Sequence, residues 1–332
     1  LVKKINIGLL GFGTVGSGVY RILTENNKNI TERIKRDTGK DIEINIKRVL
    51  VRNKKKYGSV LEDIGTENIE DILNDDEISI VVEVIGGSEP AIGYMKYAMI
   101  KKKNVVTANK RALFEEKGRL EDFALNNSVQ FRYEASVGGV LPIVRVLKES
   151  QISDELEELS AIINGSTNYI LTRTAKGESI DEVIKNAKQL GYLEADPTSD
   201  LEGFDPMYKI GILGYILTGK YPEEHEIERR GITGITPDDV LRAEEHGAVI
   251  KLVGKIKKED AIGNEAKSKY TYSVKPELIT KENPLFDVNG SLNAVNMQFR
   301  YANDMFISGR GAGCLETGTA VVSDIVSIAK LL

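Results

Sequence analysis

The densest run of reactive side chains is GYLEADPTSDLEGFDPMYK, from Gly191 to Lys209, in which Glu194, Asp196, Asp200, Glu202 and Asp205 precede a lysine. Asp205-Pro206 reads as a helix start with Asp205 as N-cap, which puts Lys209 one turn later on the same face. An ammonium group held against a carboxylate can pass a proton to or from a substrate oxygen. Two blander readings stay open. One is a capped helix with an ordinary Asp–Lys pair, worth only ~0.3–0.5 kcal/mol on a surface. The other is a cation site, although the loop lacks the ligand spacing and terminal bidentate Glu of a calcium hand.

A second chemical signature stands near the amino end, where Gly11-Phe12-Gly13-Thr14-Val15-Gly16 follows the apolar run IGLL and opens an amphipathic stretch. Between a strand and a helix this is a dinucleotide fingerprint: the first glycine makes the turn, the second admits a pyrophosphate, and the third lets helix and strand approach closely. After the second strand, where an acid would hold an NAD ribose, the chain has Val51-Arg52-Asn53-Lys54-Lys55-Lys56. A guanidinium there can pair with a 2′-phosphate, so NADP is favoured over NAD, with a solvated basic turn as the alternative. Gly86-Gly87 and Ala108-Asn109-Lys110 follow the third and fourth strands, where such a sheet receives its ligand. Lys110 at a helix start is unfavourable for the dipole unless an anion or cofactor accounts for it.

These groups need a scaffold, and the first part of the chain supplies one by alternating strand-like runs (Ile5–Leu10, Ile42–Val51, Ile78–Ile85, Asn104–Thr107, Val129–Tyr133) with helical stretches. Such alternation implies a parallel, Rossmann-type α/β sheet. The polar residues 26–41 read as a surface extension. Near residue 135 the pattern changes to a glycine-rich turn, ASVGGVLP, followed by a helix from Leu141 or Pro142. A boundary there gives a nucleotide-binding domain over 1–135, and the last stretch, within about 310–332, reads as an apolar-faced helix after GRGAG. A second α+β domain, 136–309, has a mainly antiparallel sheet (Leu156–Ile163, Val249–Lys257, Tyr270–Leu278, Ala294–Tyr301, Met305–Ser308). Thr236-Pro237-Asp238-Asp239 reads as a capped helix start.

Composition narrows the function. With 332 residues, 41% hydrophobic and 29% charged, the chain can bury two cores. A net charge of −5 provides no field to attract nucleic acid or a membrane surface. One cysteine and two histidines exclude a disulfide framework, a cysteine cage and a three-histidine zinc site. The absence of a signal or membrane-spanning pattern makes the expected location cytoplasmic.

The segments GLLGFGTVGSGV, VVEVIGG, VTANKRAL, YEASVGGVLPIV, INGSTNYIL, GYLEADPTSDLEGFDPMYKI and GRGAGCLETGTAVVSDI, in this order, make the chain similar to the homoserine dehydrogenase family. The resemblance covers nearly the whole sequence. It implies reversible, NAD(P)-dependent conversion of L-homoserine to L-aspartate 4-semialdehyde, on the way to threonine and methionine, in a homodimer formed through the second domain, which also carries substrate binding and catalysis, with the final helix returning to complete the nucleotide-binding domain. It also implies roles. Lys209 is the catalytic lysine with Asp205 its acidic neighbour, and Lys110 lies between nicotinamide and substrate. Glu194 holds the substrate amino group, and Asp200, Gly165 and Ser166 complete the substrate pocket. Phe12, Thr14 and Val15 join the three glycines, Arg52, Gly86 and Gly313 around the cofactor. Glu134, Val137, Gly139 and Leu141 form a site for a monovalent cation, Na+ or K+.

The sequence stops at Leu332, after the last helix, whereas longer relatives carry an ACT-type regulatory domain; a short form without threonine control through such a domain is the expectation. Two rivals remain. A dehydrogenase of another amino-acid semialdehyde, such as aspartate-semialdehyde dehydrogenase, would need a nucleophilic cysteine, and Cys314 sits in the GRGAGC turn with no base in view. A nucleotide-sensing module without turnover would have no use for Lys209 and its acids.

Overall fold

The computed structural model describes residues 2–189, 193, 196–259 and 269–332. The chain divides into two compact units, one made of residues 1–140 and 313–332, the other of 141–312.

The first unit is built on β1 (Lys3–Leu10), β2 (Ile42–Leu50), β3 (Gly65–Thr66), β4 (Ile78–Glu83), β5 (Asn104–Thr107) and β6 (Phe131–Arg132). They lie in the order β3-β2-β1-β4-β5-β6, and every neighbouring pair is parallel. The central strands are apolar on both faces because helices cover both. Ile5, Ile7 and Leu9 pack with Ile80, Val82 and Val106, and with Val321, Ile325 and Ile328 from the helix Cys314–Leu331. That helix lies against the helix Thr14–Glu25 at a small-residue crossing. A Cβ on Gly18 would stand 2.0 Å from the Cys314 carbonyl oxygen, and one on Gly318 would stand 2.9 Å from the Gly18 carbonyl carbon.

The stretch read as a polar surface extension is a helix, Asn27–Thr38, with Ile30 and Ile34 buried against the same core. Two apolar residues four positions apart are enough to dock one face, even where everything between them is polar.

The second unit contains β7 (Leu156–Ile162), β8 (Ile227–Arg229), β9 (Ala248–Glu259), β10 (Lys269–Thr280), β11 (Leu292–Phe299) and β12 (Asn303–Arg310), in the order β12-β11-β7-β9-β10-β8. All neighbours are antiparallel except β8, which runs parallel to β10. Its first helix is Ile143–Ser150 with Pro142 as N-cap, close to the expected start near Leu141 or Pro142. Thr236 caps the helix Pro237–Glu245, and Asp239 returns the bond to the Thr236 N–H. The helices Gly165–Thr174 and Phe204–Thr218 carry the candidate residues Gly165, Ser166, Asp205 and Lys209.

Candidate active site

The four described acids between residues 196 and 205 divide between different partners. Asp196 accepts from the Thr198 hydroxyl at 2.6 Å and the Thr198 N–H at 3.1 Å, so it tethers the start of the short helix Thr198–Leu201, and those bonds hold its carboxyl below the usual aspartate value. Glu202 accepts from Thr233 at 2.8 Å. Glu194 lies outside the described residues. Asp200 and Asp205 converge on a residue that was not singled out from the sequence, Asn164: its Nδ2 donates to Asp200 Oδ1 at 2.7 Å and to Asp205 Oδ2 at 2.9 Å.

Asn164 follows β7 and is the N-cap of the helix Gly165–Thr174, its Oδ1 accepting from the Thr167 N–H at 2.9 Å. One amide thereby caps a helix and gathers two carboxylates. Gly165 and Ser166 form the first turn beside it. The pattern Asn-Gly-Ser-Thr at a strand–helix junction is a capping signal; the acids it gathers are 36 and 41 residues away and have no local signature.

Lys209 completes the group. Its Nζ donates to Asp205 Oδ2 at 2.6 Å and to the Ile163 carbonyl at 2.6 Å, with side-chain exposures of 13% for Lys209 and 8% for Asp205. The i,i+4 spacing is as expected, but the cap is not. Gly203, left-handed at φ 79°, is the N-cap, and Asp205 sits inside the first turn before Pro206. The first turn's N–H groups have no intrahelical acceptor, so a proline is tolerated there and does not fix the cap one residue earlier. This partly sheltered ammonium–carboxylate pair is well beyond the exposed-pair reading and can hold and deliver a proton.

In the first unit, the glycine turn joins β1 to the helix Thr14–Glu25. Gly11 has φ +104°, and a Cβ on Gly16 would stand 2.2 Å from the Gly11 carbonyl oxygen, so turn and packing explain those two. Gly13 is different: it has an ordinary φ of −83°, and an added Cβ would meet nothing within 4 Å. Its bareness leaves room outside the chain, next to the Thr14, Val15 and Gly16 amides that open the helix, which is what a pyrophosphate requires. Space above Gly86 and Gly87 is likewise open. The donor set fits a dinucleotide.

Residues 142–326 match the homoserine dehydrogenase family, and residues 11–134 match the homoserine dehydrogenase NAD-binding domain. The chain belongs to the homoserine dehydrogenase family. The homoserine dehydrogenase of Bacillus subtilis is 36% identical over 99% of this chain and 74% of its own length. A homoserine dehydrogenase structure from Thiobacillus denitrificans superposes with a TM-score of 0.92 at 37% identity, over 99% of this chain and 74% of that one. A hyperthermophilic archaeal homoserine dehydrogenase in complex with NADPH gives 0.81 at 28% identity, over 99% and 98%. As a homoserine dehydrogenase, the protein is an NAD(P)-dependent oxidoreductase of amino-acid biosynthesis, and the sensor reading and the rival semialdehyde dehydrogenase fall away.

Within this homoserine dehydrogenase the remaining expected residues are placed as follows. Lys110 is the first residue of the helix Lys110–Glu116, capped by Asn109, whose side chain accepts from the Ala112 N–H. Arg52 is exposed just after β2; Lys54–Lys56 open a 3₁₀ segment whose first N–H is held by Glu67 at 2.8 Å. Gly313 caps the helix Cys314–Leu331. Glu134 and Val137 are buried at 5% and 0% exposure, and the Glu134 N–H donates to Asp324 Oδ2 at 2.8 Å. Gly139 follows Val137 in a turn with φ 63°, and Leu141 begins the second unit.

Proposed function

We propose that Lys209 is the acid–base residue of the homoserine–semialdehyde interconversion, with Asp205 holding its charge. Asp200, Gly165, Ser166 and Glu194 bind the substrate, and Lys110 serves the nicotinamide side. The observation that carries this is the 2.6 Å Lys209–Asp205 pair, anchored by Asn164 and the Ile163 carbonyl. When bound, the nicotinamide supplies or takes up the hydride at the substrate's terminal carbon. In reduction, the Lys209 ammonium donates its proton to the carbonyl oxygen; in oxidation, its neutral amine accepts the hydroxyl proton. Because Asp205 favours the ammonium, reduction suits neutral pH and oxidation speeds up as pH rises. Following NADPH absorbance with L-homoserine or the semialdehyde across pH, for wild type and Lys209→Ala, tests this; a variant that kept its turnover and merely melted earlier would refute it.

The dinucleotide rests on Gly11, Phe12, Gly13, Thr14, Val15, Gly16 and Gly86, with Gly313 near the nicotinamide and Arg52 on a 2′-phosphate. NADP is therefore preferred, in keeping with the NADPH bound by the archaeal relative. The buried carboxylate of Glu134, with carbonyls from Val137 and Gly139, offers hard oxygen ligands suited to Na+ or K+. Leu292 and Phe306, 38% and 42% exposed and on one face of the second unit's sheet, support a homodimer formed through that sheet. Among the described residues no helix is long and apolar enough to cross a membrane; small-metabolite substrates of amino-acid biosynthesis support a cytoplasmic location.

A further inference from the structure

β4 ends on a carboxylate that the reaction does not use. Glu83 is 0% exposed, and among the described residues no lysine or arginine pairs with it. Its Oε1 accepts from the N–H groups of Ile85 at 2.8 Å and Gly86 at 3.1 Å, and its Oε2 accepts from the Thr107 hydroxyl at 2.6 Å. Thr107, equally buried, ends the neighbouring β5, and its oxygen accepts from the Asn109 N–H at 3.0 Å. The Asn109 side chain returns across the gap, donating to the Gly87 carbonyl at 2.7 Å. The result is a closed ring of hydrogen bonds that locks the loop 84–87 to the entry of the helix bearing Lys110.

Burying a carboxylate against neutral donors alone is expensive, so an acid here needs a reason that an amide could not meet. The reason lies in polarity. The Thr107 hydroxyl donates to Glu83 while its oxygen accepts the Asn109 N–H, and only an acceptor without hydrogens can take that hydroxyl and two backbone N–H groups together. A glutamine that kept its oxygen on the two backbone N–H groups would turn an NH₂ toward the threonine oxygen, reversing that bond and displacing the hydroxyl proton.

We propose that Glu83 is a positioning residue for the dinucleotide: its buried carboxylate sets the two loops, at Gly86-Gly87 and at Asn109-Lys110, that receive the nicotinamide half of the cofactor. The proposal rests on the reading that the nucleotide lies along the carboxyl ends of these strands. Glu83→Gln is then expected to weaken NADPH binding, read by nicotinamide fluorescence, by roughly tenfold or more, since small displacements of positioning groups carry large costs. The KM for homoserine should stay unchanged. Thr107→Val should shift NADPH affinity in the same direction, and Thr107→Ser, which keeps the hydroxyl, should restore it. These two variants carry the test if Glu83→Gln does not fold. A lowered Tm with wild-type NADPH affinity in Glu83→Gln, or in Thr107→Val, would overturn the proposal. Gly13→Glu separates the two levels: the added side chain meets no protein atom at its Cβ but fills the space assigned to the pyrophosphate. If Gly13→Glu abolishes NADPH binding while the Glu83 and Thr107 variants leave it intact, only the positioning role fails. If Gly13→Glu binds NADPH normally, the underlying reading of the glycine turn fails.

Discussion

Two lysines of the second unit, Lys209 and Lys251, are both sheltered and both tied to the helix Gly165–Thr174, yet their surroundings differ in kind. Lys209 keeps 13% of its side chain exposed and meets a carboxylate at 2.6 Å. Lys251, on β9, is 1% exposed and donates to the Val288 carbonyl at 2.6 Å, Asn289 Oδ1 at 3.0 Å and Asn168 Oδ1 at 3.2 Å. Burial pushes the Lys251 ammonium down to about 8, with only the more distant charge of Asp287 working against it. A proton carrier needs a fixed counter-charge and an opening; a strut needs neither. Lys251 pins residues 288–289 to the helix whose N-cap, Asn164, gathers the site acids.

The comparison is broken most directly at Lys209. Lys209→Ala should lose about 10²–10⁴-fold in kcat, the usual worth of a positioned acid–base group, with NADPH affinity little changed. Lys251→Met in the same assay should retain most of its turnover below its melting temperature. A comparable collapse of kcat there would erase the distinction.

The next largest effect concerns stability. Between about 8 and the ordinary lysine value of 10.5, the unfolded chain holds a proton on residue 251 that the folded chain has released. Stability therefore rises with pH across that window, by up to about 3 kcal/mol from this group alone. Denaturant titrations of wild type and Lys251→Met at the two ends should show wild type gaining on the variant by that amount. Parallel pH profiles would mean the ammonium survives burial intact.

Smaller again is Asp205→Asn, which leaves a polar partner for Lys209 but removes the counter-charge. A fall in kcat on the order of tenfold to a hundredfold, with oxidation losing less than reduction near neutral pH, would sharpen the role of the pair. Arg52 offers a third cation, exposed and in the other unit, whose partner would be a ligand. Arg52→Ala should weaken NADP binding roughly tenfold and leave NAD unaffected, as measured by the two Michaelis constants.

Much of this was legible in the sequence where local chemistry decides. Runs such as ISIVVE and NVVT, short, apolar and β-branched, read as buried strands, and the spacing of Asp205 and Lys209 brings them together on any helix. Glu83 and Thr107 were visible only as strand residues, since nothing local marks a buried acid as hydrogen-bonded to the next strand. The two-residue β3 and three-residue β8 are too short to show a period. The helix Asn27–Thr38 was missed because its docking face is just Ile30 and Ile34, and the cap at Gly203 because a proline fits several first-turn positions. Asn164 could be found as a cap but not as a hub, because the fold alone brings Asp200 and Asp205 to it.

The helix Cys314–Leu331 closes the core around a strand that begins at Lys3. During synthesis, residues 141–312 emerge as an unbroken block, whereas the sheet made first waits, with Leu9, Ile80 and Val106 incompletely covered, until the last turns of that helix have left the ribosome. The first unit is thus completed only after residues 141–312 have been made, and over that interval its exposed apolar sheet is open to aggregation or to chaperone binding.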